Sequence, residues 1–162
     1  MTGRRPDRDR DAAGRPHSAR PRDASGRPLA RDARGVAGVP DDLELSPDES
    51  VDEAQRLLDQ GMPFHAHEVF EATWKSRSGG ERPLWQGLAQ LAVGLTHAQR
   101  GNARGAAALL RRGAGRIAPY TDAPPCGLAA ARLVAWAEAV ADRIDAAGLE
   151  SVTPEDYRPR LR

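Results

Sequence analysis

Apolar residues recur at helical intervals from about Asp41 to about Ala147, and almost nowhere before. Val51, Ala54, Leu57 and Leu58 form one stripe. Ser46-Pro47-Asp48-Glu49 precedes it as a helix start, with Ser as N-cap, Pro at the first helical position and Glu completing a capping box, and Gly61 follows as its stop. A second helix is predicted from about Pro63 to Arg77. On it Phe64, His67, Phe70, Glu71 and Trp74 share a side at about 100° per residue. Ser78-Gly79-Gly80 breaks it, and a third helix runs from about Arg82 to Arg100.

The third helix ends at Gly101, where left-handed backbone is easy, and Asn102 caps a fourth, so both read as structural. Ala106, Leu109, Leu110, Gly113 and Ile117 line the inner side of the fourth helix. A fifth, from about Leu128 to Ala147, buries Leu133, Trp136, Ala137, Val140 and Ile144 and stops at Gly148. No segment alternates with period two for long enough to suggest a sheet. The pattern predicts an all-α fold, a compact bundle of about five helices over residues 41–150, with a short C-terminal tail over 151–162 that is either a strap or a frayed end. Gly87, Gly94, Gly105 and Gly113 fall inside these helices, where each costs up to about 1 kcal/mol against Ala. Close helix–helix approach at those points explains their presence.

Charge divides the chain in the same place. Net charge is +1, but residues 1–40 hold ten Arg against five Asp, and residues 41–162 hold fourteen Lys or Arg against eighteen Asp or Glu. Leu29, Val36 and Val39 are the only branched aliphatics of the first forty residues, too few to offset backbone ordering of about 1–2 kcal/mol per residue. This stretch reads as a disordered, solvated tail. Asp alternates with its Arg and no apolar signal core is present, which disfavours targeting and nucleic-acid roles. Arg104, Arg111, Arg112 and Arg116 lie outward on the fourth helix and read as a solvated face. Cys126 is the only cysteine, which excludes an intramolecular disulfide and a cysteine zinc cluster. No apolar run spans a membrane. A cytoplasmic protein is expected. Its partner is not fixed by the sequence, which also permits a homo-oligomer.

The candidate chemistry lies on the second and third helices. His67, Glu68 and Glu71 sit within two turns, and Gln86, Gln90, Val93 and His97 form a second stripe on the third helix beside Leu84, Leu88, Leu91 and Leu95. Packing of these faces would bring His67 and Glu71 to Gln86, Gln90 and His97, with Glu68 at the edge. Three readings follow. A buried network of His, Glu and Gln could fix helix register. A divalent metal could be held by His67, Glu71 and His97, although His-Glu-x-x-Glu lacks the second His of a zincin. A metal-free pocket could use Glu68 or Glu71 as base with a histidine partner. No Ser, Thr or Cys pairs with these groups as a nucleophile. His65, about 160° round the helix from His67, is expected at the surface. Trp74, Trp85 and Trp136 read as core.

The residues just assembled resemble the domain of unknown function 309 family of small all-helical proteins. One block is Phe64-His65-Ala66-His67-Glu68-Val69-Phe70-Glu71-Ala72-Thr73-Trp74, similar to that family's His-Glu-x-x-Glu-x-x-Trp signature. The other is Gln86-Gly87-Leu88-Ala89-Gln90, then His97, then Arg100-Gly101-Asn102-Ala103-Arg104-Gly105-Ala106. The resemblance covers about residues 60–115. It implies an all-α fold and a shared polar cluster of His67, Glu68, Glu71, Trp74, Gln86, Gln90, His97 and Asn102, and no activity. The function expected is a non-enzymatic binding or interaction module with no cofactor. The alternative is a small enzyme, with or without a divalent metal, acting on a small polar substrate through His67, Glu68, Glu71 and His97.

Overall fold

The structure is a computed structural model that describes residues 20–30, 32–40 and 42–162. Five helices follow in order: α1 (Pro47–Asp59), α2 (Pro63–Ser76), α3 (Arg82–Gln99), α4 (Ala103–Ile117) and α5 (Ala130–Ala147). Two isolated bridges, Arg22 with Pro28 and Arg22 with Val36, are the only β pairing among the described residues. The fold is all-α, and no helix among the described residues is long and apolar enough to cross a membrane.

Local chemistry sets the helix ends. Ser46 Oγ accepts from Glu49 N at 3.2 Å while the Glu49 carboxylate accepts from Ser46 N at 2.8 Å, so two otherwise orphaned donors of α1 are satisfied reciprocally. At the α3–α4 corner Gly101 has φ +80°, and Asn102 Oδ1 accepts from Gly105 N at 2.9 Å. α5 begins two residues later than the apolar pattern suggests. Pro125–Gly127 winds into a single 3-10 turn instead, with Leu128 N bonded to Pro125 O at 3.1 Å.

Consecutive helices pack on one another, α1 on α2, α2 on α3, α3 on α4 and α4 on α5. Phe70 and Trp85 meet at the centre with ring centroids 6.4 Å apart, surrounded by Leu58, Leu84, Leu88, Leu95 and Leu133. Trp85 is fully buried, whereas Trp74 and Trp136 are only half-buried at the margin. α3 and α4 approach almost backbone to backbone. A Cβ on Gly113 would stand 2.8 Å from Gly87 O, and one on Gly94 would stand 3.0 Å from Leu110 Cγ. At Gly105 the space is taken instead by the side chains of Asn102 and His97.

The last residues close the bundle between α1 and α5. Leu161 is buried; its N–H donates to Gln55 Oε1 at 2.8 Å, and its carbonyl accepts from Ala129 N at 2.8 Å. Arg162 reaches Asp48 at 2.7 Å and also pairs with Asp52.

Of the N-terminal stretch read as a disordered tail, residues 1–19 lie outside those described. Residues 20–40, as far as described, contribute no helix and run along the bundle. The Asp23 carboxylate gathers Ser25 N, Ser25 Oγ and Arg27 N into a tight turn at 2.7–2.9 Å. Gly26, at the tip, lies on the ring of Phe64. Arg100, the C-cap of α3, donates from Nε and Nη2 to Ser25 O at 3.2 and 2.9 Å. Further on, Val39 N donates to Glu68 at 3.4 Å, and Leu43 and Leu45 pack against the core.

Candidate functional site

On α2, residues 67, 71 and 75 fall one turn apart on one face. They form a polar ladder: His67 Nε2 is 3.1 Å from Glu71 Oε2, and Glu71 Oε1 is 2.6 Å from Lys75 Nζ. The His67 and Glu71 side chains are 21% and 34% exposed, so the pair is neither sealed nor fully solvated. Burial pushes the His67 imidazole below its ordinary value, against the pull of Glu71. Burial would raise the Glu71 carboxyl, but Lys75 and His67 together hold it low. Burial thus disfavours the charged form of His67, and Lys75 first among its neighbours favours the charged form of Glu71. The His67 ring lies at a tilt to Phe64, 5.6 Å between centroids, and the Phe64 backbone joins Glu71 in opposing the effect of burial.

The rest of the expected cluster lies elsewhere. Among the described residues no hydrogen bond or ion pair joins His67 or Glu71 to Gln86, Gln90 or His97. His97 turns toward α4, where its Nδ1 lies 2.7 Å from Asn102 Nδ2 and supports the Asn102 cap. Gln90 Oε1 is buried without a partner. Glu68 faces the N-terminal stretch through Val39 N. Glu71, one turn from His67, pairs with it, while Glu68, about 100° round from His67, meets Val39 N instead. Among the described residues no three His, Cys, Asp or Glu side chains converge closely enough to hold a metal ion. The candidate ligand set His67, Glu71 and His97 thus comes down to the pair on α2.

His65 corrects a sequence-based expectation. It is 1% exposed, not at the surface, because the side of α2 opposite His67 is covered as well, by α1 and by the N-terminal stretch. Desolvation, then the Arg22 charge, press its imidazole below the ordinary value, with Asp23 opposing. Its Nδ1 has no hydrogen-bond partner. His65 forms part of the floor of a cleft of about 630 Å³ that runs between α1 and residues 37–40 and 42–45. Val39, Pro40, Leu43 and Leu45 make one wall, and Glu49, Asp52, Glu53 and Arg56 of α1 make the other. Leu57 joins His65 on the floor. Sequence reasoning missed this feature: Val39, Leu43 and Leu45 are too few and too irregularly spaced to announce a segment that packs on α1.

Beside the cleft, Phe64 is clasped by two guanidiniums. Arg22 Cζ stands 4.9 Å and Arg100 Cζ 5.5 Å from its centroid. Arg27 donates to Arg100 O at 3.2 Å. Residues 22–27 thus cover the first turn of α2 next to His65.

Residues 51–109, about a third of the chain, match the family model described as Domain of unknown function (DUF309). The matched segment holds most of α1, all of α2 and α3, and the first half of α4. It includes His65, His67 and Glu71 but neither the strap of residues 37–40 and 42–45 nor α5. No curated protein and no solved structure matches the chain.

Proposed function

We propose that this chain is a non-enzymatic binding module whose ligand site is the cleft between residues 37–40 and 42–45 on one side and helices α1 and α2 on the other. One observation carries the reading: a buried imidazole with a nitrogen that has no hydrogen-bond partner forms part of the floor of a 630 Å³ cleft. A buried polar atom without a partner costs about 1–3 kcal/mol, a cost that a ligand hydrogen bond would remove. The volume falls in the range of small-molecule sites, which are apolar with a few placed polar groups. Among the described residues the cleft is lined by no Ser, Thr or Cys, and its carboxylates take part in a cap and ion pairs, which favours binding over turnover.

A second reading rests on the His67–Glu71 pair. A neutral imidazole oriented by an ionised carboxylate is a competent general base, and it would make the chain a small enzyme without a metal. The two readings place ligands on opposite sides of α2. Isotope-labelled protein titrated with a charge-diverse fragment set separates them. Resonance shifts clustering at Leu43, Leu57 and His65, and unchanged by His67→Ala, are the expected result. Shifts centred on His67 and Glu71 would overturn the binding-cleft reading in favour of the second.

A further inference from the structure

We infer that the cleft takes a small organic cation, an amine carried on an apolar chain or ring with a neutral hydroxyl or amide group at its far end. This rests on the binding reading above and names the ligand class for the same site.

Charge sets the first part of the class. The α1 wall carries Glu49, Asp52 and Glu53 against Arg56 alone. Arg56 is spent on Glu53, donating from Nε at 2.9 Å and Nη2 at 2.5 Å. Arg162 is divided between Asp48 and Asp52. Each carboxylate retains acceptor capacity, since two oxygens offer about four lone-pair sites and these contacts use only some of them. A ligand amine adds an attractive partner to an under-neutralised wall. A ligand carboxylate meets like charge.

Shape and hydration set the rest. The opposite wall is Val39, Pro40, Leu43 and Leu45, which gains only from an apolar body. The α1 stripe from Glu49 to Arg56 is about 10 Å long at 1.5 Å per residue. α1 and α2 are joined by a tight corner at residues 60–62, so Leu57 and His65 stand at the end of the cleft remote from Glu49. The amine end thus faces the acidic first turns of α1, and the far end meets His65. That imidazole is desolvated and neutral, and it matches a group that hydrogen-bonds without carrying charge.

The test is a titration of the full chain with aminooctanol, octylamine, octanol and octanoate, read by calorimetry and by the His65 and Leu43 resonances. Aminooctanol is expected to bind tightest and octylamine several-fold weaker. Octanoate should be weaker than octylamine by about tenfold or more. Amine affinity should fall as salt rises from low to physiological ionic strength. In the double variant Asp52→Asn/Glu53→Gln, octylamine should drop to the level of octanol. If that variant does not fold, the salt series on the native chain carries the same information. Octanoate binding as tightly as octylamine at these resonances would overturn the ligand class and leave the binding module standing. Binding of none of the four at these resonances would overturn both.

Discussion

Gly26 lies so close to Phe64 that a Cβ at that position would stand 2.1 Å from the ring's Cγ. Its φ of +75° independently excludes most L side chains. The turn formed by residues 23–27 is therefore fitted to the first turn of α2, and His65 owes part of its burial to it. Gly26→Ala is expected to lift this turn and to cost at least about 1 kcal/mol. The site-resolved readout is the His65 imidazole: its pKa should rise toward the ordinary value as the cover opens. A His65 titration identical to that of the native chain would show that the turn does not control access.

The two histidines of α2 make stability depend on pH in one direction. Burial holds both imidazoles below their ordinary value in the folded chain. The unfolded chain therefore binds protons first as pH falls. Stability is present above the ordinary imidazole pKa of about 6.5 and declines as pH drops through it. Denaturant midpoints between pH 8 and pH 5, compared with those of His65→Gln, check the sign. A slope of opposite sign in the native chain would mean that an imidazole gains an ionic partner on folding.

Packing of α3 on α4 tolerates no added methyl at its closest point. Gly113→Ala would press a Cβ to 2.8 Å from Gly87 O and 2.7 Å from Leu91 Cδ2. The backbone oxygen cannot move aside cheaply. The expected loss is about 1–3 kcal/mol, larger than the helix-propensity gain of up to about 1 kcal/mol. Gly115→Ala, which meets nothing within 4 Å, is the control and should be neutral or stabilising. Equal effects of the two would remove the close-approach argument.

The C-terminal clasp is a structural part of the bundle. Leu161 fills a gap among Leu58, Phe70, Leu88, Leu95 and Leu133. Leu161→Ala is predicted to cost about 2–5 kcal/mol, as for other large-to-small changes in a core. Thermal or urea unfolding measures it. A loss under half a kilocalorie per mole would mean that the clasp frays in solution.

Glu71 contributes less than a buried network residue would. It is a third exposed, and its partners His67 and Lys75 retain contact with water. Both Glu71→Gln and Glu71→Ala should shift stability by no more than about 1 kcal/mol. A chelator should leave the midpoint of the native chain unchanged. A midpoint that falls with chelator and returns with one divalent ion would establish a metal site on α2.

Much of this molecule is decided by short-range pattern. The capping box at Ser46 and Glu49, the reversal at Gly101 and Asn102, and the five helices arise from interactions within a few residues, so they can be read without knowing the neighbours. The glycines inside α3 and α4 announced close approach for a similar reason: an expensive residue in a helix implies a steric demand. Burial of the two sides of α2 is a different matter. Helical period separates His65 from His67, but it does not say which side another segment will cover. Here His65 is covered by α1 and by Val39, Pro40, Leu43 and Leu45, which lie about twenty to twenty-six residues upstream, while the His67 ring lies against Phe64. The period of α3 puts Gln90 and His97 on one stripe, yet the corner at Gly101 brings Asn102, only five residues on, to His97. The cleft exists because Val39, Pro40, Leu43 and Leu45 lie across from α1, a pairing of segments whose periodicity carries no sign of one another. Local sequence determines which faces a helix offers. The tertiary structure decides which faces meet, because that depends on the total burial available to all segments at once.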